Sequence, residues 1–198
     1  MDMPASLRSP RLRFGRMSCW VSPPDARVLI VNNDVGMYHA INAAVLHSIE
    51  EGIASSCSLM VPCPWALHAM HLLRQRPEIS FGIHLTLFCD TTHYRWGPLT
   101  AKEKVPSLLD GAGELFTPAK VPELLAQARL DQVELEFRAQ VNTVVNGGLT
   151  PTHLDWHCLA DGGRADIFDL TVALAQEEIV VIDYRTIQQA WHQASAPR

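Results

Sequence analysis

A chain of 198 residues with 47% hydrophobic and 19% charged side chains has the composition of an ordinary globular protein and the length to enclose one sizeable core. The formal charge is −5, and since Arg8, Arg11, Arg13, Arg16 and Arg27 stand near the start against only Asp2 and Asp25, the body beyond them is more acidic still. An acidic body argues against a nucleic-acid partner, which needs clustered Lys and Arg, and no apolar run approaches the ~20 residues that span a membrane. The five cysteines are odd in number and form no C-x-x-C pair, which fits a reduced, cytoplasmic setting. Cys158 reads as a small half-buried residue before it reads as a nucleophile.

Residues 1–26 carry Pro4, Pro10, Pro23 and Pro24 among serine and arginine, and read as a flexible leader. The remainder, 27–198, reads as a single α/β domain. Val28, Leu29, Ile30 and Val31 form a short β-branched run, the sign of a strand buried on both faces, which gives out into the polar turn Asn32-Asn33-Asp34-Val35-Gly36. A helix is expected over 38–51 and a strand over 56–61. A second helix over 65–76 is stopped by Pro77, and a third strand covers 79–87 with His84 near its end. Alternation of this kind predicts a mainly parallel sheet.

Residues 88–120, rich in Gly and Pro, read as a long excursion of the sort that forms lids or substrate walls. Helix resumes at Val121, with Asp131 and Glu134 spaced as a capping box and Phe137, Val141 and Val144 facing inward. Gly147, Gly148 and Pro151 end it. Beyond the next segment come a helix over 166–176, a buried-type strand over 179–182 and a last helix over 186–193.

The segment between is P-T-H-L-D-W-H, residues 151–157, with His153, Asp155 and His157 at spacings of two. On a strand this spacing sets two imidazoles and a carboxyl on one face, with Leu154 and Trp156 on the other. Imidazole plus carboxyl is the ligand set of a hydrolytic metal centre, and it is also what an incidental polar strand edge looks like. Asp34 after the first strand and His84 at the end of the third decide between them. Each alone has a bland reading, a turn aspartate and a core histidine, but functional groups of parallel α/β folds gather at the carboxyl ends of the strands. Asp34, His84 and His153 on one rim would hold a divalent cation with positions left open for water and substrate.

The motifs L-I-V-N-N-D-V-G (29–36), S-L-M-V (58–61), F-G-I-H-L-T-L (81–87), V-P-S-L (105–108) and G-L-T-P-T-H-L-D-W-H (148–157) together resemble the YdjC-like (ChbG/HpnK) carbohydrate deacetylases. The resemblance implies an incomplete or distorted (β/α) barrel that removes N-acetyl groups from amino sugars such as chitooligosaccharides. It also implies one divalent cation, Mg2+ or Zn2+, on Asp34, His84 and His153. An amino sugar or oligosaccharide is then the substrate, with Tyr94, Trp96 and Trp156 as surfaces for its rings.

Two departures from the family pattern bear on activity. Where the family places an aspartate as general base, this chain has Asn33, whose amide takes no proton from water, so Asp155 or His157 is left as a substitute. No later H-P-G-type segment resembles the family's general-acid histidine. The alternative implied is a catalytically impaired relative that binds metal or sugar. The stretch 179–191 looks like the family's extreme C-terminus joined almost directly to the preceding helix. A shortening near Ala175 is therefore expected, with an open edge at Val180, Val181 and Ile182 that a homodimer would cover.

Overall fold

The computed structural model describes residues 29–178. Four strands, β1 (Val31–Val35), β2 (Ser56–Leu59), β3 (Ser80–Leu85) and β4 (His153–Trp156), form one sheet in the order β1-β2-β3-β4, with every neighbouring pair parallel. Parallel neighbours need a crossover. Helix α1 (His39–Glu50) joins β1 to β2 and α2 (Ala66–Arg74) joins β2 to β3. Helices α3 (Val121–Gln127) and α4 (Leu130–Asn146) lie between β3 and β4, and α5 (Ala165–Glu178) follows β4. Each strand beside its predecessor is the winding of a (β/α) barrel, whereas a doubly wound sheet reverses its order. The expected strand at 179–182, the helix at 186–193 and the edge that a homodimer would cover lie outside the described residues.

The strands divide their two faces by simple alternation. Cys57 and Leu59, Phe81, Ile83 and Leu85, and Leu154 are buried in the core with Val45, Leu46, Met70, Leu73, Phe137 and Val141. Burial of each such large side chain contributes about 1.5–3 kcal/mol. The other face carries Ser58, Gly82, His84, His153 and Asp155, by period two. No helix among the described residues is long and apolar enough to cross a membrane.

The first strand differs from its expectation. It begins at Val31 instead of ending there, so the polar Asn32-Asn33-Asp34 run is strand and not turn. Between the pairs Asn32↔Cys57 and Val35↔Leu59 the register slips by one, so Asn33 and Asp34 together stand opposite Ser58. That is a β-bulge, a device that re-aims a side chain at the end of a strand.

The stretch 88–120 is also better fixed than its composition suggests. Val105, Leu108, Leu115 and Phe116 are buried, and Phe88 pairs with Phe116. Gln132, Glu136 and Gln140 recur every four residues and so share one buried face of α4. Gln132 Oε1 accepts from the Ser107 amide (2.9 Å), and Glu136 accepts from the amides of Leu99 (3.1 Å) and Thr100 (2.9 Å). Gln140 takes the Thr86 amide at 3.0 Å and donates to the Thr86 carbonyl at 2.8 Å, tying the excursion to the end of β3. The capping box is not formed. Asp131 sits inside the first turn of α4 and pairs with Arg129, while Glu134 pairs with Arg138 one turn on.

Removing the Glu136 carboxyl strands two amides in a part-buried setting. Glu136→Ala should lower the unfolding free energy in urea by about 1–3 kcal/mol, and Glu136→Gln, whose amide oxygen still accepts, by less. Equal losses in the two variants would show that α4 holds this segment in some other way.

Candidate metal centre

The bulge gives Asp34 a left-handed backbone, φ 65, which is uncommon outside glycine. Its carboxyl Oδ1 lies 3.5 Å from His84 Nε2 and 3.3 Å from His157 Nδ1. These three ligand atoms lie within 4.8 Å of one another. The turn that follows is pinned by Asn42, whose Oδ1 accepts from the Gly36 amide at 2.7 Å and whose Nδ2 donates to the Trp65 carbonyl at 3.2 Å. A side chain at Gly36 would place its Cβ 2.8 Å from the Met60 carbonyl oxygen, and its φ of +99 suits glycine.

Both imidazoles are buried, and each is held from behind by a second carboxyl. His84 Nδ1 donates to Asp155 Oδ1 at 2.9 Å, and Asp155 Oδ2 accepts from the Ser58 hydroxyl at 2.8 Å. His157 Nε2 meets Asp90 Oδ1 at 2.7 Å, while its backbone amide donates to the Leu85 carbonyl at 3.0 Å and extends the β3–β4 ladder by one residue. A carboxyl on the far nitrogen fixes the ring and raises its basicity, the usual support of a metal-binding histidine.

The expected set of Asp34, His84 and His153 is thus gathered only in part, and the third member of the group is His157. His153 stands four residues earlier, at the start of β4, with Nε2 3.3 Å from the Ser58 hydroxyl and Nδ1 3.0 Å from the Thr152 hydroxyl. It lies flat over Gly82, where a Cβ would come within 2.3 Å of the ring. Asp155, expected as a substitute base, has both oxygens engaged. Asn33 is exposed beside Asp34 on the bulge. Trp96 is buried, Trp156 donates to the Thr171 hydroxyl, and Tyr94 stacks on Tyr38 at 4.4 Å while donating to the Met37 carbonyl.

Asp90 and Ser58 escaped functional assignment in the sequence. Ser58 lay inside a motif without a role, and Asp90 is a single acid in a loop, with no periodicity to mark it.

The donor set fits a divalent cation. Asp34 Oδ1 and His157 Nδ1 are buried and make no hydrogen bond, although they face each other. Buried polar atoms are rarely left so, and an ion between them satisfies both. In the cation-free protein the strain appears in the titration. Contacts from His157 and then His84 hold Asp34 well below the usual carboxylate range against its burial. Burial alone would lower His84, but Asp155 and Asp34 prevail and push it up to about 9. His153 is held below its ordinary value by burial, with the His84 charge adding to it.

The sign of the stability effect follows. Stability from Asp34 is lost as pH falls below its ordinary value. Stability from His84 is full below about 6.5 and is lost as pH rises through about 9. The cation-free protein should therefore melt at progressively lower temperature from pH 7 to 9.5. A bound cation, which replaces the His84 proton, should flatten that slope. A cation-free melting temperature that stays level over this range would contradict the pairing.

The chain matches the family described as YdjC-like protein over residues 27–196. It is 31% identical over 152 residues to a carbohydrate deacetylase of Thermoanaerobacter pseudethanolicus, covering 76% of this chain and 57% of that one. It is 35% identical over 133 residues to a chitooligosaccharide deacetylase of Yersinia enterocolitica, covering 66% and 49%. A solved structure from Enterococcus faecalis, named for cellobiose-phosphate cleavage, superposes with a TM-score of 0.69 at 26% identity and covers 77% of this chain and 57% of that one. The chain spans about half the length of the curated relatives it matches. With the family match running through the bulge, β3 and the P-T-H-L-D-W-H segment, this chain belongs to the YdjC-like family, and these curated relatives are named as deacetylases.

Proposed function

We propose that this chain is a divalent-cation-dependent hydrolase of the N-acetyl group of an amino sugar, with Asp34, His84 and His157 as the cation's protein ligands. The observation that carries the reading is the pair of buried, unsatisfied atoms, Asp34 Oδ1 and His157 Nδ1, beside His84 Nε2. Two imidazoles with one carboxyl suit Zn2+ better than Mg2+, which prefers an all-oxygen shell. When bound, the ion supplies Lewis-acid polarisation of the amide carbonyl and a more acidic water.

The protein's own part is to hold the ligands and to move the proton. Asp155 keeps the His84 proton on Nδ1, so Nε2 is free to ligate, and Asp90 holds the His157 ring with Nδ1 toward the centre. Ser58 anchors Asp155, and His153, packed over Gly82, completes the wall behind them. The proton of the attacking water needs an acceptor. Asn33 shares the bulge with Asp34 and, by the family resemblance, takes the place of the acceptor, but an amide is not a base near neutral pH.

That observation favours a second reading within the same family: a centre that binds cation and sugar and turns over slowly. Release of acetate from diacetylchitobiose in the presence of Zn2+ or Mg2+ tests both. His84→Ala and His157→Ala should abolish any turnover, and Asn33→Asp should raise it by ~10²–10⁴-fold, the usual worth of a general base. Brisk turnover in the native protein that Asn33→Asp leaves unchanged would place the base elsewhere. Turnover that survives both histidine substitutions would overturn the metal assignment.

A further inference from the structure

His157 belongs to two clusters. One is the centre just described. The other is Asp90, His157 and Cys158, whose ligand atoms also lie within 4.8 Å of one another. Neighbouring residues of a strand point to opposite faces, so His157 and Cys158 ought to diverge. They converge because Cys158 adopts φ 50. Asp34 and Cys158 are the non-glycine residues at positive φ among the described residues, and both fall at this centre. A left-handed backbone is strained for such residues, and strain of this kind clusters at functional sites.

The second cluster is open to solvent. Cys158 is exposed, in contrast to the buried Cys57, Cys63 and Cys89. The Asp90 side chain is 34% exposed, so it has room to step back from its 2.7 Å contact with His157 Nε2 and admit an ion between them.

We propose that Asp90, His157 and Cys158 form a second cation site, for soft divalent ions such as Zn2+ or Cd2+, which competes with the first site for His157. The site itself stands on this cluster alone, while the competition rests on the reading of Asp34, His84 and His157 as ligands. Sulfur makes the site selective, since a thiolate favours soft ions and offers little to Mg2+. The Cys158 thiol gives up its proton to solvent as the metal–sulfur bond forms. The competition follows from the imidazole. In its neutral form one nitrogen carries the proton and only the other has a lone pair to offer. An ion on Nε2 leaves the proton on Nδ1, the atom that faces Asp34, and so removes the third ligand of the first centre. Excess soft cation therefore weakens the hydrolytic site, and a hard cation does not.

The test uses full-length protein titrated with Cd2+, read by the ultraviolet absorption of the cadmium–thiolate bond, beside Cys158→Ser and His84→Ala. The wild type should show the band. Cys158→Ser should lose it or need roughly tenfold or more Cd2+, a loss typical of damage to a metal shell. His84→Ala should keep it. An identical band in Cys158→Ser, or none in the wild type, overturns the second site, and so does its loss in His84→Ala. For the competition, Co2+ at the first centre is followed by its visible absorption. Cd2+ should suppress that signal at roughly tenfold lower concentration in the wild type than in Cys158→Ser. Equal concentrations overturn the competition. A cadmium–thiolate band with no Co2+ bound overturns the reading of the first centre and leaves the second site standing.

Discussion

The Asp34 carboxyl stands between two imidazoles, each gripped from behind by a further carboxyl, and the surrounding structure is arranged to keep it there. The imidazoles that pair with Asp34, Asp90 and Asp155 are two, His84 and His157. Even with both rings protonated the cluster is one positive charge short, and protonating both would set two cations in a T-shaped contact with ring centroids 5.2 Å apart. Gathering charges in a buried place is costly unless they are matched. A divalent cation would bring two positive charges with both rings left neutral, and would satisfy the two orphaned atoms at once. The same imbalance explains why His84 holds its proton so far into the alkaline range when no cation is present.

The backbone invests in this arrangement at three places. The bulge in β1 and the left-handed Asp34 turn its carboxyl towards the strand ends. Asn42 and Gly36 clamp the turn that follows. Gln140 of α4 holds both backbone groups of Thr86, two residues past His84, and so fixes the mouth of β3. Rigid elements, not loops, therefore position Asp34 and His84, and Asp90 comes from a segment that α4 holds through Gln132 and Glu136.

Much of this was readable from residue order. The alternation of short strands and helices gave a parallel sheet, and the period-two spacing of His153, Asp155 and His157 gave one shared polar face. Spacing could not say which histidine reaches Asp34, because both lie on that face. Register sets Ser58, Gly82 and His153 level, and an unbroken β1 would put Asn33 beside them and Asp34 level with Leu59, on the opposite face. The one-residue slip and the left-handed φ at Asp34 bring its carboxyl to the polar face beside His84 and His157, and neither leaves a mark in the sequence, since the usual signal of a left-handed turn is glycine. The fixed polar face of α4 was hidden for a related reason. Gln132, Glu136 and Gln140 look like a solvated stripe until the backbone they bind is known. Asp90 gave no signal, because a lone acid in a loop gains meaning only from the imidazole it meets.

The assignment of His157 in place of His153 is the claim on which the chemistry turns. Crystals grown with one equivalent of Zn2+, measured at the zinc absorption edge, test it most directly. The account predicts an anomalous peak at bonding distance from Asp34 Oδ1, His84 Nε2 and His157 Nδ1, with the His153 ring still packed on Gly82. A peak bonded to His153, with His157 turned away toward Asp90, would contradict it.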